Sequence, residues 1–245
     1  MGWCRTNLKR FACRSVRLDL LRATRLSGEM IQTRRIFRWV VFLLAGFYVL
    51  RTLILGDFGP SGGPFRYLTI WALFFSFFAA SRMMALEEGR SDRRWDGFVS
   101  MTAVINTMVV FLYWRLYLAD PASVTSDGEL GQFYLEMYLH GLGPALQVID
   151  RLFVHRSVRP VAGCTWLVGV IAVYLAWAEL FVGPMNASPV GTVTSGLPYP
   201  FLNNLEFADR MMFFGTNLCI GIGLLLIYTG IAWLMRRSFP VRIAP

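Results

Sequence analysis

The chain is 245 residues long, 56% hydrophobic and only 16% charged, with a formal net charge of +9. A chain of this length and hydropathy builds one helical bundle and little else, and because its positive charge gathers at the edges of apolar stretches, membrane topology accounts for it and nucleic-acid binding is excluded. Cys4, Cys13, Cys164 and Cys219 form no close pair, and His140 and His155 are the only histidines, so no disulfide framework and no cofactor or metal site is expected.

The first 35 residues interleave Arg10, Arg14, Arg17, Arg22 and Arg25 with Leu8, Phe11, Leu18, Leu21 and Leu26, and only Asp19 and Glu29 are acidic. A basic amphipathic segment lying on an anionic inner leaflet fits this pattern, and so does an Arg-rich, acid-poor organelle transit peptide. No secretory signal is visible, since the first apolar run follows the basic stretch.

A spanning helix takes roughly 20 apolar residues. Six such stretches follow, at 36–55, 66–86, 97–118, 131–153, 162–182 and 210–235. The expected fold is therefore an all-α polytopic bundle of about six transmembrane helices. Residues 36–236 form its membrane domain, between the basic segment 1–35 and a short basic tail at 237–245. Arg and Lys fall on alternate gaps, in 1–35, 87–96, 154–161 and after 235, whereas the gaps at 56–65, 119–130 and 183–209 contain none. The positive-inside bias then places both termini in the cytoplasm. An integral, multi-pass protein of the cell membrane or endoplasmic reticulum is expected, with the mitochondrial inner membrane also open.

Ionisable groups inside hydrocarbon are costly unless they face protein or water, so they are the informative residues. On the fourth stretch Glu136, His140, Pro144, Gln147 and Asp150 or Arg151 recur every three or four positions and form one inward stripe. Thr69 and Ser76 lie on the second stretch, Asn106 and Arg115 on the third, Glu179 on the fifth, and Asp209, Arg210 and Asn217 at the start of the sixth. At ~1.5 Å per residue, Thr69 and His140 both fall in the outer half of the membrane, roughly 6 and 14 Å deep. Asp150 and Arg151 read as end-of-helix groups, and His155 as a solvated residue of a basic inner loop. The 183–209 gap, punctuated by Pro184, Pro189, Pro198 and Pro200, is a long outer loop of lid or docking type. Its Leu197, Tyr199 and Phe201 dip toward lipid. The sequon-like Asn186-Ala187-Ser188 is followed by Pro189, which argues against glycosylation.

The stretch Gly62-Gly63-Pro64-Phe65-Arg66-Tyr67-Leu68-Thr69, the His140 helix with Asp150 ten positions on, Tyr199-Pro200-Phe201-Leu202 and Arg210-Met211-Met212-Phe213-Phe214-Gly215 together resemble the androgen-induced-gene family of multi-pass membrane proteins, which includes the androgen-dependent TFPI-regulating protein. The resemblance covers about residues 36–236 and rests on the order and spacing of these motifs across four helices.

It implies an intramembrane hydrolase that cleaves fatty acid esters of hydroxy fatty acids, with the family's threonine at Thr69 and its histidine at His140. The implied partners are membrane lipids and a lipid-ester substrate. A threonine hydroxyl is a weak nucleophile until a base takes its proton, and an imidazole can then protonate the leaving alkoxide. Glu136, Asp209 or Arg210 could support such a pair, and Arg210, the amides near Gly62 and Gly63, or the amino terminus of the second helix could stabilise an oxyanion. The bland alternative for Thr69 is a hydroxyl bonded to the carbonyl of the preceding turn. Two further classes stay open: a non-catalytic accessory subunit of a larger membrane complex, for example a respiratory one, and, more remotely, a transporter, for which no internal repeat is found.

Overall fold

Among the described residues, six helical rods build the bundle. The computed structural model describes residues 3–125, 131–187 and 191–238, with side chains from Glu29 onward apart from Met30. The side-chain pattern of the basic segment, Asp127, Glu129, Ser188, Pro189 and most of the carboxyl-terminal tail lie outside the described residues. The rods are α1 (Trp3–Leu55), α2 (Leu68–Glu87), α3 (Asp96–Ala119), α4 (133–155), α5 (Pro160–Met185) and α6 (Phe207–Ser238). Short 3₁₀ turns lie at Gly63–Arg66, Pro121–Ser123 and Pro200–Asn204, and among the described residues there is no strand.

Five of the rods are long and apolar enough to cross a bilayer: residues Ile31–Leu55 of α1, and α2, α3, α5 and α6. The fourth expected stretch differs in kind. It is helical over 133–155, but two wide π turns, Tyr138–Leu142 and Asp150–His155, break its α pattern. It also carries Glu136, His140, Asp150 and Arg151. Proline accounts for the first break: Pro144 has no N–H to offer the carbonyl of His140 and its ring would clash there, so the backbone widens and His140 takes φ −112°, ψ 19°. The same device recurs at Ala178–Val182, ahead of Pro184.

At the centre stands α3, in contact with α2, α4, α5 and α6, while α1 packs outside on α2 and α4. Between lipid-embedded helices no hydrophobic force acts, so association rests on close packing of small residues and on interhelical polar contacts. Both are present. Ala72 and Ala79 of α2 meet Met101, Val104 and Ile105 of α3 in the main core, which Leu167 of α5 and Leu225 of α6 close. Gly97 lets α3 touch α5, since a Cβ there would lie 2.7 Å from the Ala162 carbonyl oxygen. A second cluster fastens α1, where Tyr48 stacks on Tyr138 of α4 at a centroid distance of 3.7 Å.

Polarity is inverted relative to a soluble protein. Arg38, Ser76, Asn106, His140, Gln147, Asp150, Arg151 and Arg210 are buried, whereas Phe47, Ile54, Leu118, Val161, Leu180 and Met212 stand exposed. Such an apolar exterior is stable only in lipid. The chain is an integral membrane protein.

The two ends of the bundle differ. At the basic end Arg38 of α1 is 4% exposed; it donates to Glu87 at 2.6 Å, to the Met83 carbonyl at 3.1 Å and to Asp150 of α4 at 3.2 Å. Arg151 donates to Ser100 at 2.7 Å and to Thr229 at 3.4 Å. His155 is not solvated, contrary to its reading as a loop residue. The wide last turn of α4 swings it inward, where it is buried and lies 2.9 Å from the carboxylate of Asp96. The opposite end gathers the loops after α1, α3 and α5, in which Arg66 is the single basic residue. There Ser61 and Asn186 exchange hydrogen bonds of 2.8 and 2.9 Å, tying the first of these loops to the third.

Candidate functional site

Thr69 is the second residue of α2. The chain reaches it through a tight reversal in which Gly62 and Gly63 adopt φ of +88° and +48°, a region L side chains avoid. A Cβ on Gly63 would also come within 2.9 Å of the Phe58 ring. The 3₁₀ turn that follows presents its carbonyls to aromatic donors: the Phe65 oxygen accepts the indole N–H of Trp71 at 2.8 Å and of Trp177 at 3.2 Å, and the Arg66 oxygen accepts the Tyr174 hydroxyl at 3.1 Å.

Thr52, Ser76, Ser100, Thr107, Thr165 and Thr229 each donate to the carbonyl four residues back, the usual fate of a hydroxyl in a buried helix. Thr69 has no preceding turn to bond, because α2 begins at Leu68 and the extended Tyr67, at φ −98° and ψ 130°, sets Phe65 outside the helix. Its hydroxyl turns instead to His140 of α4, and Oγ1 lies 3.4 Å from Nε2.

His140 is held on every side. Its ring stacks face to face on Tyr113 of α3, with centroids 3.5 Å apart and planes 2° from parallel. Its carbonyl, freed by Pro144, accepts the Trp114 indole N–H at 2.7 Å. Nδ1 approaches Oε2 of Glu136, one turn earlier on α4, to 2.9 Å, and the Tyr113 hydroxyl lies beside the same carboxylate. A carboxylate at Nδ1 favours the proton there, which leaves the Nε2 lone pair facing Thr69. The imidazole is 6% exposed.

Thr69 also borders an apolar cavity. Met108, Leu112 and Leu116 of α3, Leu167 and Ile171 of α5, Phe213 and Leu218 of α6 and Tyr199 and Phe201 of the last loop line it. Such a lining has the character of a site for an apolar ligand. A smaller recess, with Ser76, Asn106 and Tyr138 in its wall, also borders the same threonine.

Of the residues singled out in the sequence, Thr69, His140 and Glu136 come together. Asp209 and Arg210 do not join them. Asp209 is exposed; Arg210 turns away to Glu179 of α5, at 3.0 and 3.2 Å, and to the Leu205 carbonyl at 2.7 Å, pinning the end of the last loop.

A family model for FAR-17a/AIG1-like protein matches residues 34–232, which takes in part of α1, all of α2 to α5, most of α6 and all the residues of this site. The chain belongs to that family. Among curated proteins and solved structures, none matches it. Within this FAR-17a/AIG1-like chain, three side chains of the site went unread in the sequence. Tyr113, Trp114 and Tyr174 sit in uniformly apolar stretches, where an aromatic ring reads as packing. Tyr199, expected only to dip toward lipid, lines the cavity beside Thr69; its signal was the Tyr-Pro-Phe-Leu motif.

Proposed function

We propose that the chain is an intramembrane hydrolase of lipid esters, with Thr69 as nucleophile, His140 as base and acid, and Glu136 as the group that orients the imidazole. The observation that carries this is the Thr69 hydroxyl, 3.4 Å from Nε2 of a buried histidine and open to an apolar cavity. The 3.4 Å separation is long for a hydrogen bond, as resting sites often are before substrate arrives.

Chemistry follows from the arrangement. An ester enters with its acyl chain in the large cavity and its carbonyl over Thr69. As Oγ1 bonds to the carbonyl carbon, its proton passes to Nε2, and the imidazolium is stabilised by Glu136. Collapse of the tetrahedral intermediate breaks the bond to the alcohol oxygen, which takes the proton from Nε2. Water, deprotonated by the same nitrogen, then releases the acid and restores Thr69. The family's implied substrates, fatty acid esters of hydroxy fatty acids, present such an ester between two apolar chains. We place the site beneath the non-cytoplasmic face, since its neighbouring loops carry only Arg66, whereas basic residues cluster at the opposite end.

Purified protein in lipid nanodiscs should hydrolyse a long-chain fatty acyl ester. Thr69→Ala and His140→Ala should each lower kcat by about 10³-fold or more while the melting temperature holds, the scale of losing a member of a nucleophile–base pair. Wild-type rates in either variant would refute the assignment.

A further inference from the structure

The loop between α5 and α6 supplies a phenol to the site. Asn203 builds this loop from within: its side chain is fully buried, its Oδ1 accepts the Leu197 amide at 3.0 Å and the Thr194 hydroxyl at 2.5 Å, and its Nδ2 donates to the Leu197 carbonyl at 3.0 Å. Next in the chain comes Pro198-Tyr199-Pro200, in which a proline on either side restricts the backbone of the tyrosine. Tyr199 is held extended at φ −111°, ψ 122°. Its ring meets Tyr67 edge to face at 5.7 Å and leans on Phe201 at 6.2 Å. Its hydroxyl interacts with the Leu68 amide, the Thr69 hydroxyl and the Tyr174 hydroxyl.

Position gives this hydroxyl a task. Both Thr69 and Tyr199 border the large cavity, whereas His140 does not; the nucleophile stands between its base and the phenol. An acyl carbonyl that approaches Thr69 from the cavity therefore brings its oxygen to the Tyr199 side. Arg210 is committed to Glu179, the Gly63 amide to the Pro60 carbonyl and the Tyr174 hydroxyl to the Arg66 carbonyl. The Leu68 N–H, at the positive end of α2, lies beside the Tyr199 and Tyr174 hydroxyls and polarises them further. Burial pushes the Tyr199 pKa up to about 12, so the phenol is a protonated donor at neutral pH.

We propose that the Tyr199 hydroxyl is the oxyanion donor of the esterase reaction, which makes the last loop part of the catalytic apparatus and not only a cover. The inference rests on the hydrolase reading above. When Thr69 Oγ1 bonds to the acyl carbon and its proton goes to Nε2 of His140, the carbonyl electron pair moves to oxygen and is met by the Tyr199 O–H. Hydrogen bonding alone is involved, and the phenol proton stays on Tyr199. When the tetrahedral intermediate collapses, the pair returns and the bond to the leaving oxygen breaks.

The test uses full-length protein in nanodiscs, with p-nitrophenyl palmitate as substrate and a palmitoyl trifluoromethyl ketone as the mimic of the tetrahedral oxyanion. Tyr199→Phe retains the ring and removes only the donor. It should lower kcat by about 10²–10³-fold, the usual loss for one oxyanion donor, shift KM by no more than about threefold, and weaken the ketone by a factor similar to the loss in kcat. If the variant melts earlier than wild type, ketone affinity read on the folded fraction decides by the same criterion. Near-wild-type kcat and ketone affinity in Tyr199→Phe, with Thr69→Ala inactive, would overturn the oxyanion role alone. Failure of the wild type to hydrolyse the ester, or full activity of Thr69→Ala, would overturn the hydrolase reading and this role with it.

Discussion

The place of Thr69 at the start of α2 decides what its hydroxyl can bond. Because the helix begins at Leu68 after an extended Tyr67, no carbonyl of a preceding turn is available to it, and Nε2 of His140 lies 3.4 Å away. Glu136 acts on the far side of the ring. In the proposed reaction its carboxylate, 2.9 Å from Nδ1, favours the useful tautomer and stabilises the imidazolium formed during acyl transfer. Glu136→Gln keeps the shape and loses the charge, so kcat should fall by about 10²–10⁴-fold, the span attributed to proton transfer by a positioned group, with KM little changed. Steady-state kinetics on folded variant protein checks this. At this scale the sequence was legible for the ionisable groups, because a histidine and a glutamate in hydrocarbon announce themselves. It was silent on Tyr113, whose face against His140 depends on how α3 and α4 meet and not on any local pattern.

Within α4 a single proline sets the site's geometry. Pro144 leaves the His140 carbonyl without its helical donor, the turn widens into a π segment, and Trp114 of α3 takes the vacant acceptor. Pro144→Ala would restore an N–H able to compete with that indole and to tighten the turn. The expected result is a helix at least as stable by thermal melting, with kcat lowered by about 100-fold, since displacement of a catalytic group by about 1 Å costs on that order. Unchanged kcat would show that the widened turn does not position the imidazole. Helix count shows the same coupling between sequence and function. Uniformly apolar stretches declared themselves by hydropathy, whereas 133–155 is the stretch that carries the buried charges and is broken by π turns. The polar stripe that gave away its inward face is also what makes it irregular.

Across the whole molecule the two ends of the bundle divide the work. Opposite the loop end, where Thr69 and His140 lie, Arg38 joins α1 to α2 and α4 through Glu87 and Asp150. Removing one partner of a buried pair leaves the other charge uncompensated, so Arg38→Ala should destabilise the protein by about 3–5 kcal/mol. Arg90→Ala, on an exposed side chain paired with Glu88, should change stability by about 0.5 kcal/mol or less. Chemical denaturation in mixed micelles compares the two. The basic loops mark that end as the one expected in the cytoplasm, yet how far its charges are buried was not visible: Arg151 read as an end-of-helix group and His155 as a solvated one because burial depends on α3, which carries Asp96 and Ser100 to meet them. Proximity of Thr69 to His140, on helices 71 residues apart in the chain, likewise emerges only from the assembled bundle.

The central claim concerns a covalent bond, and the most direct measurement is to catch it. A single-turnover reaction with a long-chain p-nitrophenyl ester, quenched in acid and mapped by peptide mass spectrometry, should show the acyl mass on the peptide containing Thr69. The adduct should be absent in Thr69→Ala. An adduct on another side chain, or ester turnover by Thr69→Ala at the wild-type rate, would contradict the account.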